Sequence, residues 1–361
     1  MKHRRFLASV LTLLLTFSLL SGFLMPAAEA AGSATYTDFV FFGYGPGVAA
    51  LRSDGTVAVW DPNSMFKNGE IDRVRSWENV VQIMDEGRAL LALMADGTVD
   101  AAEYDVYESD FNRSTVTRWR NIRELVCSNG YHGFAIGWDG KLYLTGKSNM
   151  INGMDRFDFS WWKNLKKLAA GVCPKSEYLL GLCWDGTVVD NRTYDSKMEG
   201  CDLPWSGETK NVVDIASDGW LDMALRADGT VVVRGTDREV YEPIVSKRKN
   251  VSGICFAGEC PVALFCDGTV ECAIGDETDE GFSSLHGVRE LVQISDFYEV
   301  AALFTNGDVK VFSPYQYDSD TYSALDSWKN VTRLWANSGM AVGMQADGSF
   351  LTLGFKLSDL N

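Results

Sequence analysis

Apolar residues recur in this chain in one fixed frame. An apolar pair, two variable positions, Asp-Gly, Thr and Val read AALRSDGTV at 49–57 and LALMADGTV at 91–99. The frame returns as FAIGWDGKL, LGLCWDGTV, MALRADGTV, VALFCDGTV, AALFTNGDV and AVGMQADGSF. Its turn residue falls at Asp54, Asp96, Asp139, Asp185, Asp228, Asp267, Asn306 and Asp347, at nearly equal steps along the chain. Repeats of this length mark one structural unit used many times.

Asp-Gly between alternating apolar runs predicts a β-hairpin. The alternation also selects the loop. A two-residue loop would set Arg52 opposite Val57 and mix charge into the apolar face. A three-residue loop, Ser53-Asp54-Gly55, sets Leu51 opposite Val57 and sorts the faces. Three residues before each turn residue stand Leu51, Leu93, Ile136, Leu182, Leu225, Leu264, Leu303 and Met344. Three after stand Val57, Val99, Leu142, Val188, Val231, Val270, Val309 and Phe350. All are apolar, and a slip of one residue would turn them outward. The turn Gly then takes the left-handed conformation of a bulged hairpin. In this register Cys272 lies opposite Val262 while Cys266 sits in the loop, so the two are not expected to be bonded.

A second signal precedes most hairpins: WENVVQI, WRNIREL, WKNLKKL and WKNVTRL, with KNVVDI, KNVSGI and VRELVQI as weaker copies. The Asn opens a turn and the alternating residues after it read as a strand. Each unit therefore has at least three strands, with room for a fourth in the variable linker. Such units read as blades of an all-β protein, a single β-propeller of about 42-residue repeats. Hairpin count gives eight blades, with seven as the alternative. The repeats place one propeller domain at 31–361.

At these residues the chain resembles the regulator of chromosome condensation repeat superfamily. The best copy of that family's repeat is Gly130-Tyr131-His132-Gly133-Phe134-Ala135-Ile136, followed by Trp138-Asp139-Gly140 and Leu142. Strand-ending glycines stand at Gly146, Gly235, Gly275 and Gly354. The resemblance implies a propeller ring, with seven blades in the family's usual form. Exported bacterial members are the nearer comparison, including β-lactamase inhibitory propellers, which bind a protein enzyme across one face. The resemblance thus implies a protein-binding scaffold. It also places His132 in a packing slot.

Residues 1–30 read as a secretory signal peptide: Lys2, Arg4 and Arg5, an apolar run, then Ala28-Glu29-Ala30. No later stretch is long and apolar enough to span a bilayer, so a secreted, extracellular protein is expected. The whole chain carries a net charge of −16, and the part that follows Ala30 carries −18, because Lys2, Arg4, Arg5 and Glu29 leave with the signal segment. A surface this acidic excludes a nucleic-acid partner, which needs a basic one. Eight cysteines lie between Cys127 and Cys272, without zinc-site spacing. An even count in an exported chain could hold disulfides; the other reading makes most of them small buried apolar residues.

Catalytic motifs are missing: there is no GxSxG, HExxH or phosphate-cradling Gly loop. No cofactor and no metal are expected, and the turn aspartates read as turn formers. One departure from the repeat stands out. The residue before the turn Asp is Ser53, Ala95, Ala227, Cys266, Thr305 or Ala346 in six units, but Trp138 and Trp184 in units three and four. Large aromatics at adjacent tips suit ligand binding; the other reading folds each Trp back over its blade edge. The expectation is a monomeric, non-catalytic propeller that binds an extracellular or cell-surface protein through its hairpin tips. The alternative is a propeller enzyme, a lyase or glycan hydrolase with carboxylates at the central channel.

Overall fold

In the computed structural model the described residues are 35–42, 46–106, 111–128, 132–145, 159, 162–173, 176–190, 205, 209–219, 221–235, 238–245, 247–258, 260–274, 277–278, 282, 284–294, 299–312, 320–337 and 339–360. The signal-peptide reading and the His132 side chain lie outside them.

Eight antiparallel sheets follow one another along the chain, each a strand, a neighbour and a third strand in sequence order. The first strands are Tyr36–Phe42, Val80–Asp85, Ile122–Ser128, Leu165–Cys173, Val212–Ser217, Val251–Ala257, Val288–Gln293 and Val331–Asn337. The middle strands are Gly47–Arg52, Ala89–Met94, His132–Gly137, Ser176–Cys183, Leu221–Arg226, Cys260–Phe265, Val300–Phe304 and Met340–Gln345. The third strands are Val57–Trp60, Val99–Glu103, Leu142–Leu144, Val188–Asp190, Val231–Gly235, Val270–Ile274, Val309–Phe312 and Phe350–Leu353. First strands of successive sheets touch one another in turn, and Val331–Asn337 returns to Tyr36–Phe42. The sheets are thus eight blades in a ring, with the first strands innermost.

Every hairpin has the register that face-sorting demands. Leu51 pairs with Val57, Leu93 with Val99, Ile136 with Leu142 and Leu182 with Val188. Leu225 pairs with Val231, Leu264 with Val270, Leu303 with Val309 and Met344 with Phe350. Cys272 lies opposite Val262 and is buried, while Cys266 is an exposed free thiol in the turn. The turn carboxylates serve their own loops. Asp54, Asp96, Asp185, Asp228 and Asp267 each accept the backbone N–H and the hydroxyl of the Thr two residues on. Those bonds favour the ionised form and hold each of these carboxyls below its ordinary range.

The apolar core is divided among the blade junctions. Among the described residues it forms eight clusters, one between each pair of neighbouring blades. The junction of blades 1 and 2, for example, packs Leu51, Val57 and Val59 against Trp77, Val80 and Ile83. A single blade exposes two apolar faces, so only ring neighbours can bury both.

Backbone hydrogen bonds join the blades at the hairpins. Asn79, Asn121, Asn164, Asn211, Asn250 and Asn330 open their blades with φ between 57° and 64°, and Gly287 takes that place in blade 7. Asn tolerates this left-handed conformation better than most residues. The residue after each donates its N–H to the turn Gly carbonyl of the preceding hairpin at 2.8–3.3 Å, from Val80 to Gly55 through Val331 to Gly307. The carbonyl of the Asn, or of Gly287, then accepts the N–H before the turn residue of its own hairpin, at 2.8–3.0 Å. Seven junctions share this latch.

The closing junction is built differently. Thr35 supplies the carbonyl for Ser53, but nothing lies within 4 Å of the point where a Cβ on Gly348 would stand. Aromatic contacts take over: Phe39 against Trp335 and Phe350, and Trp60 stacked on Phe355. Trp335 Nε1 donates to Asp38 at 2.7 Å, and Arg333 donates to the Thr37 carbonyl at 3.0 Å.

The linkers depart from the expected fourth strand. Only Glu277–Thr278 adds one among the described residues, and it is a single short pairing. Short helices occupy the linkers instead: Glu70–Arg75, Arg113–Val116, Arg238–Val245 and the 3-10 helix Asp320–Ser327. They rest on third strands. An apolar residue three before the Trp position drives this choice. Val74, Val116, Phe159, Val245, Phe282 and Leu325 each accept the N–H of the residue three on, which is Trp77, Trp119, Trp162, Arg248, Leu285 or Trp328. A step of three places both side chains on one face of a helical turn and not on one face of a strand.

The latch gives a direct test. An Ala Cβ at Gly229 (φ +78°) would stand 2.9 Å from Asn250 Cα, whereas at Gly348 (φ +83°) it meets open space. Gly348→Ala should cost about 1 kcal/mol, the left-handed penalty alone. Gly229→Ala should cost more and lower the melting temperature further. Equal losses in the two variants would show that the turn does not bear on the next blade.

Candidate functional site

The inner strands begin with a matched irregularity. In all eight blades the pairing shifts across the second residue after the opening position, between Tyr36 and Asp38, Val80 and Gln82, and so on to Val331 and Arg333. Such bulges re-aim side chains. The bulge residues are Thr37, Val81, Arg123, Lys166, Val213, Ser252, Arg289 and Thr332. The residues after them are Asp38, Gln82, Glu124, Lys167, Asp214, Gly253, Glu290 and Arg333.

Members of these two sets tie the inner strands of blades 2, 3, 4, 7 and 8 to the next one in the ring. Gln82 bonds both the carbonyl and the N–H of Leu125 in blade 3, at 2.9 and 2.8 Å. Arg123 donates to the carbonyls of Leu165 and Lys166 in blade 4, at 3.3 and 2.9 Å. Lys167 reaches Asp214 and the Ile215 carbonyl of blade 5. Arg289 reaches the Thr332 carbonyl of blade 8 at 2.6 Å.

Three carboxyls of this polar belt are displaced upward. Burial raises Asp38 against the opposing Trp335 hydrogen bond and the charge of Arg333. Burial likewise raises Glu290, opposed by Arg289 and Arg333. Glu124 is pushed up by burial to about 7, opposed by Arg123 and Lys167. Its ion pair with Arg123 spans 3.6 Å, beyond a normal hydrogen bond. The three lie in blades 1, 3 and 7, so no two occupy adjacent blades. Among the described residues no group of three or more His, Cys, Asp or Glu side chains is placed to hold a metal ion.

The aromatic tips lie at the outer edge of this belt. Trp138 is 67% exposed and Trp184 55%. Each is fixed by its own N–H, donated to the Asn121 or Asn164 carbonyl at 2.9 and 3.0 Å. Trp184 lies beside two bulge cations, Arg123 of blade 3 at 5.5 Å and Lys166 of blade 4 at 5.8 Å from the ring centroid. The main chain of each tip is thus held by the latch while its ring stays exposed. Sequence reasoning found the two tips because they break the repeat. It missed the channel belt, whose members share an offset from the opening Asn but no residue type.

Fold and site together define an eight-bladed β-propeller with a belt of bulged inner strands and one face of latched hairpin tips. No family model matches the chain. It is 25% identical over 187 residues to the periodic tryptophan protein 2 homolog of Caenorhabditis elegans, which is 48% of this chain and 19% of that protein. The chain thus spans under a fifth of that relative's length. Among solved structures it is similar to the Dos1 propeller, with 11% identity, 88% of this chain and 93% of that one covered, and a TM-score of 0.49. It is also similar to Prp20p of Saccharomyces cerevisiae, the yeast RCC1, with 15% identity, coverage of 66% and 71%, and a TM-score of 0.40.

The raised Glu124 has a signed consequence. Its carboxyl titrates at 4.5 in the unfolded chain and near 7 in the fold, so folding retains a proton that the unfolded chain has lost. That stability is complete below pH 4.5 and drains away as pH rises to 7. Glu124→Gln should therefore raise the melting temperature at pH 8 relative to the parent, with a smaller gain or none at pH 4. A variant that gains nothing at pH 8 would place Glu124 in a solvated setting.

Proposed function

We propose that this chain is an exported, non-catalytic propeller that binds a protein partner through its hairpin-tip face. The observation that carries this reading is the pair of exposed indoles, Trp138 and Trp184, at matched tips of adjacent blades. Tryptophan is over-represented among residues that anchor interfaces. The other tips carry Ser53, Ala95, Ala227, Cys266, Thr305 and Ala346, all small, so the aromatics are a local elaboration of the ring. The partner is an extracellular or cell-surface protein, met by a monomer after removal of residues 1–30. Among the described residues no helix is long and apolar enough to cross a membrane. The reading rests on these residues and on the resemblance to exported propellers.

A second reading, a propeller enzyme, draws on the raised carboxyls at the axis. Acid–base chemistry on one bond needs two carboxyls flanking it. Asp38, Glu124 and Glu290 stand at least two blades apart, and Asp38 is already bonded to Trp335 and the Phe39 amide. That separation favours a structural role for them.

The double variant Trp138→Ala, Trp184→Ala separates binding from packing. Affinity for a partner captured from secreted and surface proteins should fall by about 2 kcal/mol or more, roughly thirtyfold. The melting temperature should hardly move, because exposed positions contribute little to stability. Lost stability with undiminished capture would make the indoles packing residues.

A further inference from the structure

Five large apolar residues are strongly exposed among the described residues: Val81, Trp138, Trp184, Val213 and Val240. Four of the five fall at tip or bulge positions of consecutive blades, 2 to 5. Val81 and Val213 are the bulge residues of blades 2 and 5, and the two indoles are the tips of blades 3 and 4. The same positions in blades 6, 7, 8 and 1 hold Cys266, Thr305, Ala346 and Ser53 at the tips, and Ser252, Arg289, Thr332 and Thr37 at the bulges. Trp184 shows how tip and bulge meet, because its ring neighbours the bulge residues of its own blade and of the one before. In blade 3 the Trp138 tip holds the corresponding place in the repeat, relative to bulge positions 123 and 81. The result is an arc over half the ring, running from Val81 through Trp138, Trp184 and Lys166 to Val213, with the nearly buried Arg123 side chain behind the Trp184 ring.

The part of the arc on blades 3 to 5 also gathers cations. Besides Lys166 it is bordered by Arg120, Lys163 and Lys210, the exposed residues just before the opening Asn of blades 3 to 5, whereas blade 2 has Glu78 at that place. Of the tip acids, Asp139 is paired with Lys141 at 2.9 Å, while Asp96, Asp185 and Asp228 accept from Thr98, Thr187 and Thr230 and keep their charge. On a chain of net charge −16, blades 3 to 5 thus set Arg120, Lys163, Lys166 and Lys210 near two exposed indoles. Stacked sugars need an open aromatic face, and the Trp184 ring already has a guanidinium and an ammonium beside it.

We infer that the arc on blades 2 to 5 docks an acidic segment of a protein partner, with carboxylates at Lys163 and Lys166 and apolar side chains against Trp138, Trp184 and the flanking valines. This rests on the protein-binding reading above and names the chemistry of the partner. Charge complementarity of this kind steers encounter and sets specificity, and it weakens with salt.

The test uses the chain from Ala31 onward and two short probe peptides, one alternating Glu with Phe and one alternating Lys with Phe. The acidic probe should bind, and the basic probe should not. Lys163→Glu with Lys166→Glu should weaken acidic-probe binding about tenfold or more, and so should the double tryptophan variant. A charge-matched control, Lys249→Glu with Lys329→Glu on blades 6 and 8, should leave it unchanged, with melting temperatures of all variants confirming the fold. Preference for the basic probe would overturn the inference. So would binding of heparin or of phosphatidylglycerol vesicles in place of the peptide. Tryptophan-dependent binding that ignores the charge reversal would overturn the acidic partner while keeping the binding face. Acidic-probe binding that ignores both sets of variants would overturn the inference together with the binding face.

Discussion

The structure depends on one repeated contact, the hydrogen-bonded meeting of a hairpin turn with the opening turn of the next blade. The contact demands two unusual backbones at once. The hairpin needs a left-handed Gly with no Cβ, and the next blade must open on a residue that accepts positive φ. Asn supplies the second in six blades and Gly287 in one. A backbone hydrogen bond contributes only about 1 kcal/mol net. The latch therefore acts by fixing geometry, and the apolar cluster behind each junction supplies most of the stabilisation. With hairpin and neighbour held in register, Leu51 and its seven counterparts have one face to occupy.

That constraint also organises the face available for binding. The residue before each turn Asp gives its N–H to the latch, so its backbone is immobilised while its side chain faces outward. Its identity can vary without cost to the ring, and Ser53, Ala95, Trp138 and Trp184 occupy the same place. A stiff scaffold that presents variable tips is the arrangement in which loops carry function on a rigid frame. Behind the tips, the belt from Gln82 to Arg333 spends its polar groups on the neighbouring strands. Glu124 is drawn so far into that interior that it keeps its proton close to neutral pH.

Much of the fold was legible in the sequence because its decisive signals are local. Asp-Gly spacing gave the hairpins, and the apolar pairs such as Leu264 and Val270 chose the three-residue loop. The opening Asn was visible as a turn former, though its bond to the preceding hairpin was not, since a third strand and a whole linker separate the two partners in the chain. The linker helices were misread as space for a fourth strand. The three-residue step from Val74 to Trp77, repeated from Leu325 to Trp328, carried that signal. The closing seam could not be read, because Phe39 and Trp335 belong to no shared motif and meet Phe350 only when the ring closes. Trp138 and Trp184 were legible as exceptions to the repeat. The cations beside Trp184 were not, because Arg123 comes from another blade.

Amide hydrogen exchange tests the latch most directly. The amides of Val80, Ile122, Leu165, Val212, Val251, Val288 and Val331 donate across blade junctions. If the turn-to-turn bonds hold the ring together, these amides exchange only through global opening, as slowly as the middle-strand amides of Leu91 or Ala302. Exchange at loop rates, with the strands still protected, would show that the blades are held by side-chain packing alone and that the latch is incidental.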